Sequence, residues 1–287
     1  MIATATCEEP SIGVMPADKY HADHSAISKS MLWTFHQRRR LYEMEYILGV
    51  APPRKSSPEM DIGELAHAAL LEPETLDERY VMVPPELLGS NGYANTKAAK
   101  EFIAENVDAG RIVIKADQLA VIKAMVKSVQ HTFGDWLKRP SKREHAVHWT
   151  NRDTGLRLKC RPDWIIETPS TCFIFDVKTT ADVSPPVFAR RVEDYGYWLQ
   201  HVHYSEGVQE VFARDTEFHF VVVETKFPFA CNIQRIDVRS LPDCEREHLA
   251  ILRDLKNCLD TGDFSEPWEH NITNIEIRSR NFNRSAA

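Results

Sequence analysis

Two apolar runs joined by a tight turn constrain this chain more than any other feature. TGLRLKCRPDWIIE (154–167) and TCFIFDVKTT (171–180) are rich in β-branched and aromatic residues and meet through Thr168-Pro169-Ser170-Thr171, the composition of strand, turn and strand. With Pro169-Ser170 as a two-residue loop, paired residues have numbers that sum to 339, so Asp163 faces Asp176; a bulge or longer loop would shift that register. Directly opposed residues on one face of an antiparallel pair hold their Cβ atoms about 4.5–5.5 Å apart, and like charges there are destabilising. A divalent cation between the carboxylates removes the objection, since Mg2+ takes oxygen ligands at about 2.0–2.1 Å. Lys178 lies two residues beyond Asp176 and shares its face, because side chains alternate along a strand. A surface ion pair between Asp176 and Lys178 accounts for the same spacing without any chemistry. The chemical alternative is phosphodiester hydrolysis, in which a metal polarises the phosphate and an ammonium orients the attacking water or stabilises the charge that develops on phosphorus.

The rest of the chain supplies the frame. EHAVHWTN (144–151) reads as a strand before the hairpin. After it come a helix from Pro186 to Phe212, the strand pair EFHFVVVET (217–225) and ACNIQRIDV (230–238), and a helix from Leu241 to Leu259. Upstream, the pattern predicts a helix over 25–49 with Ser28 as N-cap and Gly49 as its stop, a loop over 51–60, and a short helix over 61–73. Loop signals then dominate to Gly110, interrupted by a brief helix at NTKAAKEFIAEN. A long helix over 115–140 carries an apolar stripe of Leu119, Ile122, Met125, Val126, Val129, Phe133 and Trp136, which is core. The expected architecture is α/β, a central mixed sheet flanked by helices behind a helical N-terminal half. One domain spans 20–265, with 20–142 as its helical part and 143–265 as its α/β core. Residues 1–19 read as a mobile terminus and 266–287 as a tail.

Composition bounds the function classes. With 35 Lys and Arg against 42 Asp and Glu, the net charge of −7 does not mark a nucleic-acid binder, so any such surface has to concentrate its basic residues. The densest positive run is Arg38-Arg39-Arg40, read either as a solvated helix face or as a phosphate contact. Six scattered cysteines with no C-x-x-C spacing exclude a readable zinc or iron–sulfur ligand set and imply reduced thiols. No apolar run approaches the roughly 18 residues of a membrane span, and no signal-peptide pattern opens the chain, so a cytoplasmic protein is expected.

RPDW (161–164) followed by DVKTT (176–180) resembles the PD-(D/E)XK nuclease signature, with Asp163 as its first acid and Asp176-Val177-Lys178 as its second element. Together with GELAHAALLEPE (63–74) and YGYWLQHVHYSEG (195–207), these motifs resemble, in order, the nuclease domain of the exonuclease VIII (RecE) family and its phage relatives, over roughly residues 20–260. The resemblance implies a restriction-endonuclease-like core. It also implies Mg2+ or Mn2+ held by Asp163, Asp176 and the Val177 carbonyl, with His67 beside the metal and Glu144 completing the site. Lys178 is then the catalytic ammonium, and Gln200 and Tyr204, four residues apart on one helix face, orient the site or the scissile strand. Without the resemblance, His67 reads first as a packed helix residue, and ordinary helix packing is the alternative for Gln200 and Tyr204. The family's activity implies digestion of linear double-stranded DNA from 5′ to 3′. It further implies a homo-oligomer in which Arg38–Arg40 track phosphates, and a single-strand annealing partner.

Three other readings stay open on the residues alone. The fold could serve an endonuclease or a partner-dependent nuclease, or it could be a non-catalytic DNA-binding module. Paired acids also serve hydrolases of small molecules, although that chemistry does not explain Lys178.

Overall fold

The computed structural model describes residues 9–52, 58–73, 76–89 and 92–269. Parts of the expected loops at 51–60 and 89–92, residues 1–8 of the N-terminus and residues 270–287 of the tail lie outside these. The N-terminal part contains β1 (Ser11–Val14), α1 (Ala17–Ala22), β2 (Ile27–Ser28), α2 (Lys29–Gln37) and α3 (Arg39–Tyr42), the last continued by a π-helical turn (Glu43–Ile47). Next come α4 (Pro58–Leu71), α5 (Leu76–Arg79), β3 (Tyr80–Met82), α6 (Lys97–Asp108), β4 (Ile112–Ile114) and α7 (Ala116–Leu137). The remainder is β5 (Lys142–Arg143), β6 (His145–Thr150), β7 (Arg157–Cys160), β8 (Trp164–Glu167), β9 (Thr171–Thr180), α8 (Pro185–Asp194), α9 (Tyr197–Phe212), β10 (Asp215–Glu224), β11 (Cys231–Gln234) and α10 (Leu241–Thr261).

β9 is the axis of the fold. It pairs antiparallel with β8 and parallel with β10 inside a five-stranded sheet of order β11-β10-β9-β8-β5. The hairpin register is the expected one: Trp164 faces Phe175 and Glu167 faces Cys172, and the Thr168 N–H donates to the Thr171 carbonyl at 2.9 Å to close the two-residue turn. Side chains of β9 therefore divide between two cores. Phe175 and Val177 join Trp164, Val221 and Val223 under α4 and α7, where Met125, Val129 and Phe133 of the α7 stripe are fully buried. Ile174 joins Ile165, Phe218 and Phe220 under α9 and α10. Burying each such large apolar side chain contributes on the order of 1.5–3 kcal/mol. Asp176 and Lys178 continue the Ile174 face beyond the end of β8.

Three expectations need correction. The run 154–167 is not one strand: β7 pairs with β6 in a separate four-stranded sheet of order β1-β6-β7-β2, while β8 joins the sheet of β9. The break falls at Arg161-Pro162-Asp163, where proline has no N–H to continue a ladder. The helix expected over 186–212 is two, α8 and α9, divided at Gly196. Gly196 has φ +61°, and a Cβ there would lie 2.3 Å from the Trp33 ring, so only glycine fits the corner. Finally, the described part of the supposed mobile terminus is structured. β1 pairs with β6, and the fully buried Lys159 ammonium donates to the Tyr20 and Asp23 carbonyls, tying that segment down. The second sheet thus takes β1 from the terminal segment and β2 from the nominally helical half.

Candidate active site

Where β8 has peeled away, the Val177 N–H of β9 has no ladder partner, and the Asp163 side chain replaces one. Its Oδ2 accepts from Val177 N at 2.6 Å. The other oxygen, Oδ1, lies 2.9 Å from His67 Nε2, presented by α4. Burial pushes the Asp163 carboxyl up, but His67, Lys178 and the Val177 N–H outweigh it and hold its pKa below the usual value.

Glu144 enters the same corner from the joint between β5 and β6. Its φ of 53° is the left-handed region that a non-glycine residue occupies only at a cost, a kind of strain that clusters at functional sites. The strained backbone is pinned on both sides: Glu144 N–H donates to the Asp163 carbonyl at 3.3 Å, and Arg161 Nε donates to the Glu144 carbonyl at 3.1 Å. The Arg161 guanidinium also engages Oε2. Oε1, by contrast, is buried without a hydrogen bond, 3.3 Å from the His67 Nε2 that Asp163 already uses. Burial and the neighbouring Asp163 push the Glu144 carboxyl up to about 7. Burial lowers the His67 pKa, but Asp163 and Glu144 reverse this and raise it to about 9. One ligand atom from each of His67, Glu144 and Asp163 lies within 4.8 Å of the others. Two acids and an imidazole converging on a buried, unsatisfied oxygen are a donor set that fits a divalent cation.

The β8–β9 ladder ends at Trp164 and Phe175, one residue short of Asp163, and Asp176 is not part of that trio. Its Oδ1 is held by the Lys178 ammonium and its Oδ2 by Gln200 Nε2 from the first turn of α9. Burial and the nearby Asp163 push the Asp176 carboxyl up to about 6. Burial favours a neutral Lys178, but Asp176, Tyr197 and Asp163 overcome it and raise its pKa. Tyr204 lies one turn beyond Gln200, lines the same cleft and packs edge-on against Phe218. Thus the structure gathers His67, Glu144, Asp163, Asp176, Val177, Lys178, Gln200 and Tyr204 into one neighbourhood.

The cleft has a volume of about 330 Å³. Among its lining residues, Lys29 and Tyr197 are given no role by the sequence. Lys29, the first residue of α2, donates from Nζ to the Tyr195 carbonyl at 2.7 Å, and burial together with Lys178 lowers its pKa to about 7. Tyr197 lies with its ring centroid 4.8 Å from Lys178 Nζ. Neither sits at a spacing that single-sequence patterning weighs. A larger cavity, about 620 Å³ between α8 and α10, is mainly apolar and has no lysine or histidine in its lining.

Arg38, Arg39 and Arg40 are not among the residues that line this cleft. Arg38 pairs with the buried Glu266 at 3.1 Å, Arg39 with Asp254, and Arg40 with Glu43 and Glu269 at 3.2 Å. Acids of α10 and of the segment after it neutralise the run, so it fastens that segment to α2 and α3. Among the described residues the cysteines outside residues 1–8 are free thiols, and no helix is long and apolar enough to cross a membrane.

Comparison with known proteins agrees with this fold. The model of a family described as a PDDEXK-like domain of unknown function (DUF3799) matches residues 28–268. No curated protein sequence matches. Among solved structures, a candidate exonuclease from Eubacterium rectale superposes with a TM-score of 0.52 at 16% identity, covering 96% of this chain and 100% of that one. A second structure, SSO0001, gives a TM-score of 0.27 at 13% identity over 66% of this chain and 86% of that one, too low to bear on the fold. The fold is therefore the α/β, restriction-endonuclease-like fold of nucleases, and the chain belongs to the PDDEXK-like domain family.

Proposed function

We propose that the chain is a divalent-metal-dependent exodeoxyribonuclease acting on linear double-stranded DNA. The observation that carries this reading is the cleft in which His67, Glu144 and Asp163 converge on a buried, unpaired carboxylate oxygen beside the Asp176–Lys178 pair. Asp163, Glu144 and His67 hold the cation, Mg2+ or Mn2+. Asp176 and the Val177 carbonyl complete its surroundings. In a strand the N–H and C=O of one residue point to the same side, so the Val177 carbonyl faces the edge where its N–H meets Asp163. When bound, such a cation supplies positive charge against the phosphate and makes a neighbouring water more acidic.

The chain's own groups carry the remaining steps. Lys178, kept protonated by Asp176, donates to a non-bridging phosphate oxygen and stabilises the charge that grows there as water attacks. Gln200 holds the Asp176 carboxylate so that it keeps the ammonium aimed at the phosphate. Tyr204 forms the apolar wall behind Gln200 and limits bulk water on that side.

Digestion runs 5′ to 3′ and leaves a 3′ strand for an annealing protein, and the active form is a homo-oligomer; these three features come with the resemblance of the motifs to exonuclease VIII. Linear duplex labelled at either end in turn, incubated with Mg2+ beside a closed circle, tests the reading. Early release of the 5′ label with the circle intact is the expected result, and scission of the circle would make the chain an endonuclease. Light scattering of the free protein and of its DNA complex tests the oligomer.

A further inference from the structure

From the catalytic ammonium, a row of rings and cations leads outward to solvent. Lys178 Nζ is 4.8 Å from the Tyr197 centroid, the Tyr195 and Tyr197 rings are stacked at 5.8 Å and 24°, and the Arg191 guanidinium is 5.9 Å from the Tyr195 ring. Lys29 Nζ lies 5.6 Å from the centroids of both Tyr197 and Trp33. The row is rigidly mounted: Trp33 packs so closely against Gly196 that no Cβ would fit there, and Lys29 fastens the Tyr195 carbonyl. Yet Tyr195 itself is 51% exposed at the end of α8. A large aromatic ring that is half exposed, stacked on a ring of the cleft wall and accompanied by an arginine side chain, is a stacking platform for a nucleobase.

We propose that Tyr195 stacks the base of the nucleotide next to the scissile phosphate, while Lys29 and Arg191 attract its backbone. The proposal deepens the nuclease reading and rests on it. Its consequence is a substrate form: a base inside a duplex has both faces covered by its neighbours, so the platform takes a nucleotide unpaired at a frayed or single-stranded end. Lys178 fixes the phosphate, Tyr197 spaces it from Tyr195, and the strand is read by stacking without sequence preference, since every base has a π-face. This supplies local grip to a protein whose overall charge of −7 gives little.

The test uses the whole protein with linear DNA and Mg2+. Tyr195→Ala raises KM by roughly 5- to 100-fold, with a smaller effect on kcat, and Tyr195→Phe restores wild-type KM. An abasic site next to the scissile phosphate raises KM for the wild type to the same degree and adds nothing to the Tyr195→Ala defect. An unchanged KM in Tyr195→Ala, on DNA that the wild type cuts, overturns the proposal. If the wild type cuts no DNA with Mg2+ or Mn2+, the nuclease reading falls instead, and a metal-free measurement decides the platform. Binding of a single strand carrying terminal 2-aminopurine should quench its fluorescence with wild type and Tyr195→Phe but not with Tyr195→Ala. Equal quenching by all three, or by none, overturns the platform.

Discussion

Helix α9 carries two polar clusters on different sides, and they end differently. One side gives Gln200 to the cleft. Another gives His203 and Glu206 to a buried knot with His248, Trp149 and Asn151. In the knot, His203 Nε2 lies 3.0 Å from the Lys159 carbonyl, which can only accept, so Nε2 carries the proton and Nδ1 accepts from His248 Nε2 at 3.2 Å. Trp149 Nε1 and Asn151 Nδ2 both donate to Glu206 Oε1, at 3.0 and 2.8 Å. Trp149 packs so close to Gly207 that a Cβ there would lie 2.5 Å from its ring. The cleft has the same residue types but leaves Glu144 Oε1 buried and unbonded, on a strained backbone. Histidines and acids that satisfy each other hold structure together. Those held apart, with an oxygen left over, are available for a ligand.

The sharpest way to break this comparison is in the cleft. Lys178→Ala should slow single-turnover cleavage by about 10³-fold while the thermal midpoint stays close to wild type, since Gln200 still holds Asp176. A variant cutting within tenfold of wild type would remove Lys178 from the chemistry. Next in size is Glu144→Gln, which keeps the shape but removes the charge from the unbonded oxygen. Mn2+ affinity by calorimetry should drop about 10- to 100-fold. The matching change in the knot, Glu206→Gln, should leave Mn2+ affinity at the wild-type value and act on stability alone. Equal losses of metal affinity in both variants would mean that the unbonded oxygen does not distinguish the two clusters.

The contrast also explains what was legible in the sequence. Asp163, Asp176 and Lys178 followed from a two-residue turn and the period of a strand, which are local rules; the register held from Glu167–Cys172 to Trp164–Phe175 and stopped there, so the expected pairing of Asp163 with Asp176 is not made. That Asp163 turns toward His67 and Glu144 while Asp176 turns toward Lys178 and Gln200 depends on where β8 leaves the sheet, which a hairpin argument does not contain. His67 and Glu144 come from segments 96 and 19 residues before Asp163, and only tertiary packing brings them together. Lys29 and Tyr197 meet across Gly196 in the same way. Sequence density alone does not reveal that the acids of α10 and of the segment after it fold back on the run Arg38–Arg40. The break at Pro162 was there to be read, but the apolar pattern on both sides of it masked the change of sheet.

The knot makes a prediction of intermediate size. Burial drives the His203 pKa down to about 3 and the His248 pKa down to about 4. The unfolded chain, with histidines near 6.5, then binds more protons than the folded one below that pH, and stability falls as pH drops from about 6.5 toward 4. Glu144, Asp176 and His67, all with raised pKa values, titrate with the opposite sign, so the knot is best isolated by difference. Between pH 7 and 5, His248→Gln should lose about 2 kcal/mol less stability than wild type in urea titrations. Identical pH dependence in the two proteins would mean that the knot is not buried neutral.

The smallest effect belongs to the arginine run, and it probes the third kind of polar cluster, one on the surface. Arg38 is 57% exposed although its partner Glu266 is buried, and the Arg40 N–H also donates to Glu266 at 3.4 Å. Arg38→Ala should therefore cost no more than about 1 kcal/mol, with KM for linear DNA within twofold of wild type at 50 and 200 mM salt. A phosphate contact would behave otherwise: each one lost weakens binding and flattens the salt dependence by about one counterion. A rise in KM that shrinks as salt increases would return Arg38 to the DNA-binding surface. It would also mean that the acids of α10 and of the segment after it yield their arginines when DNA arrives.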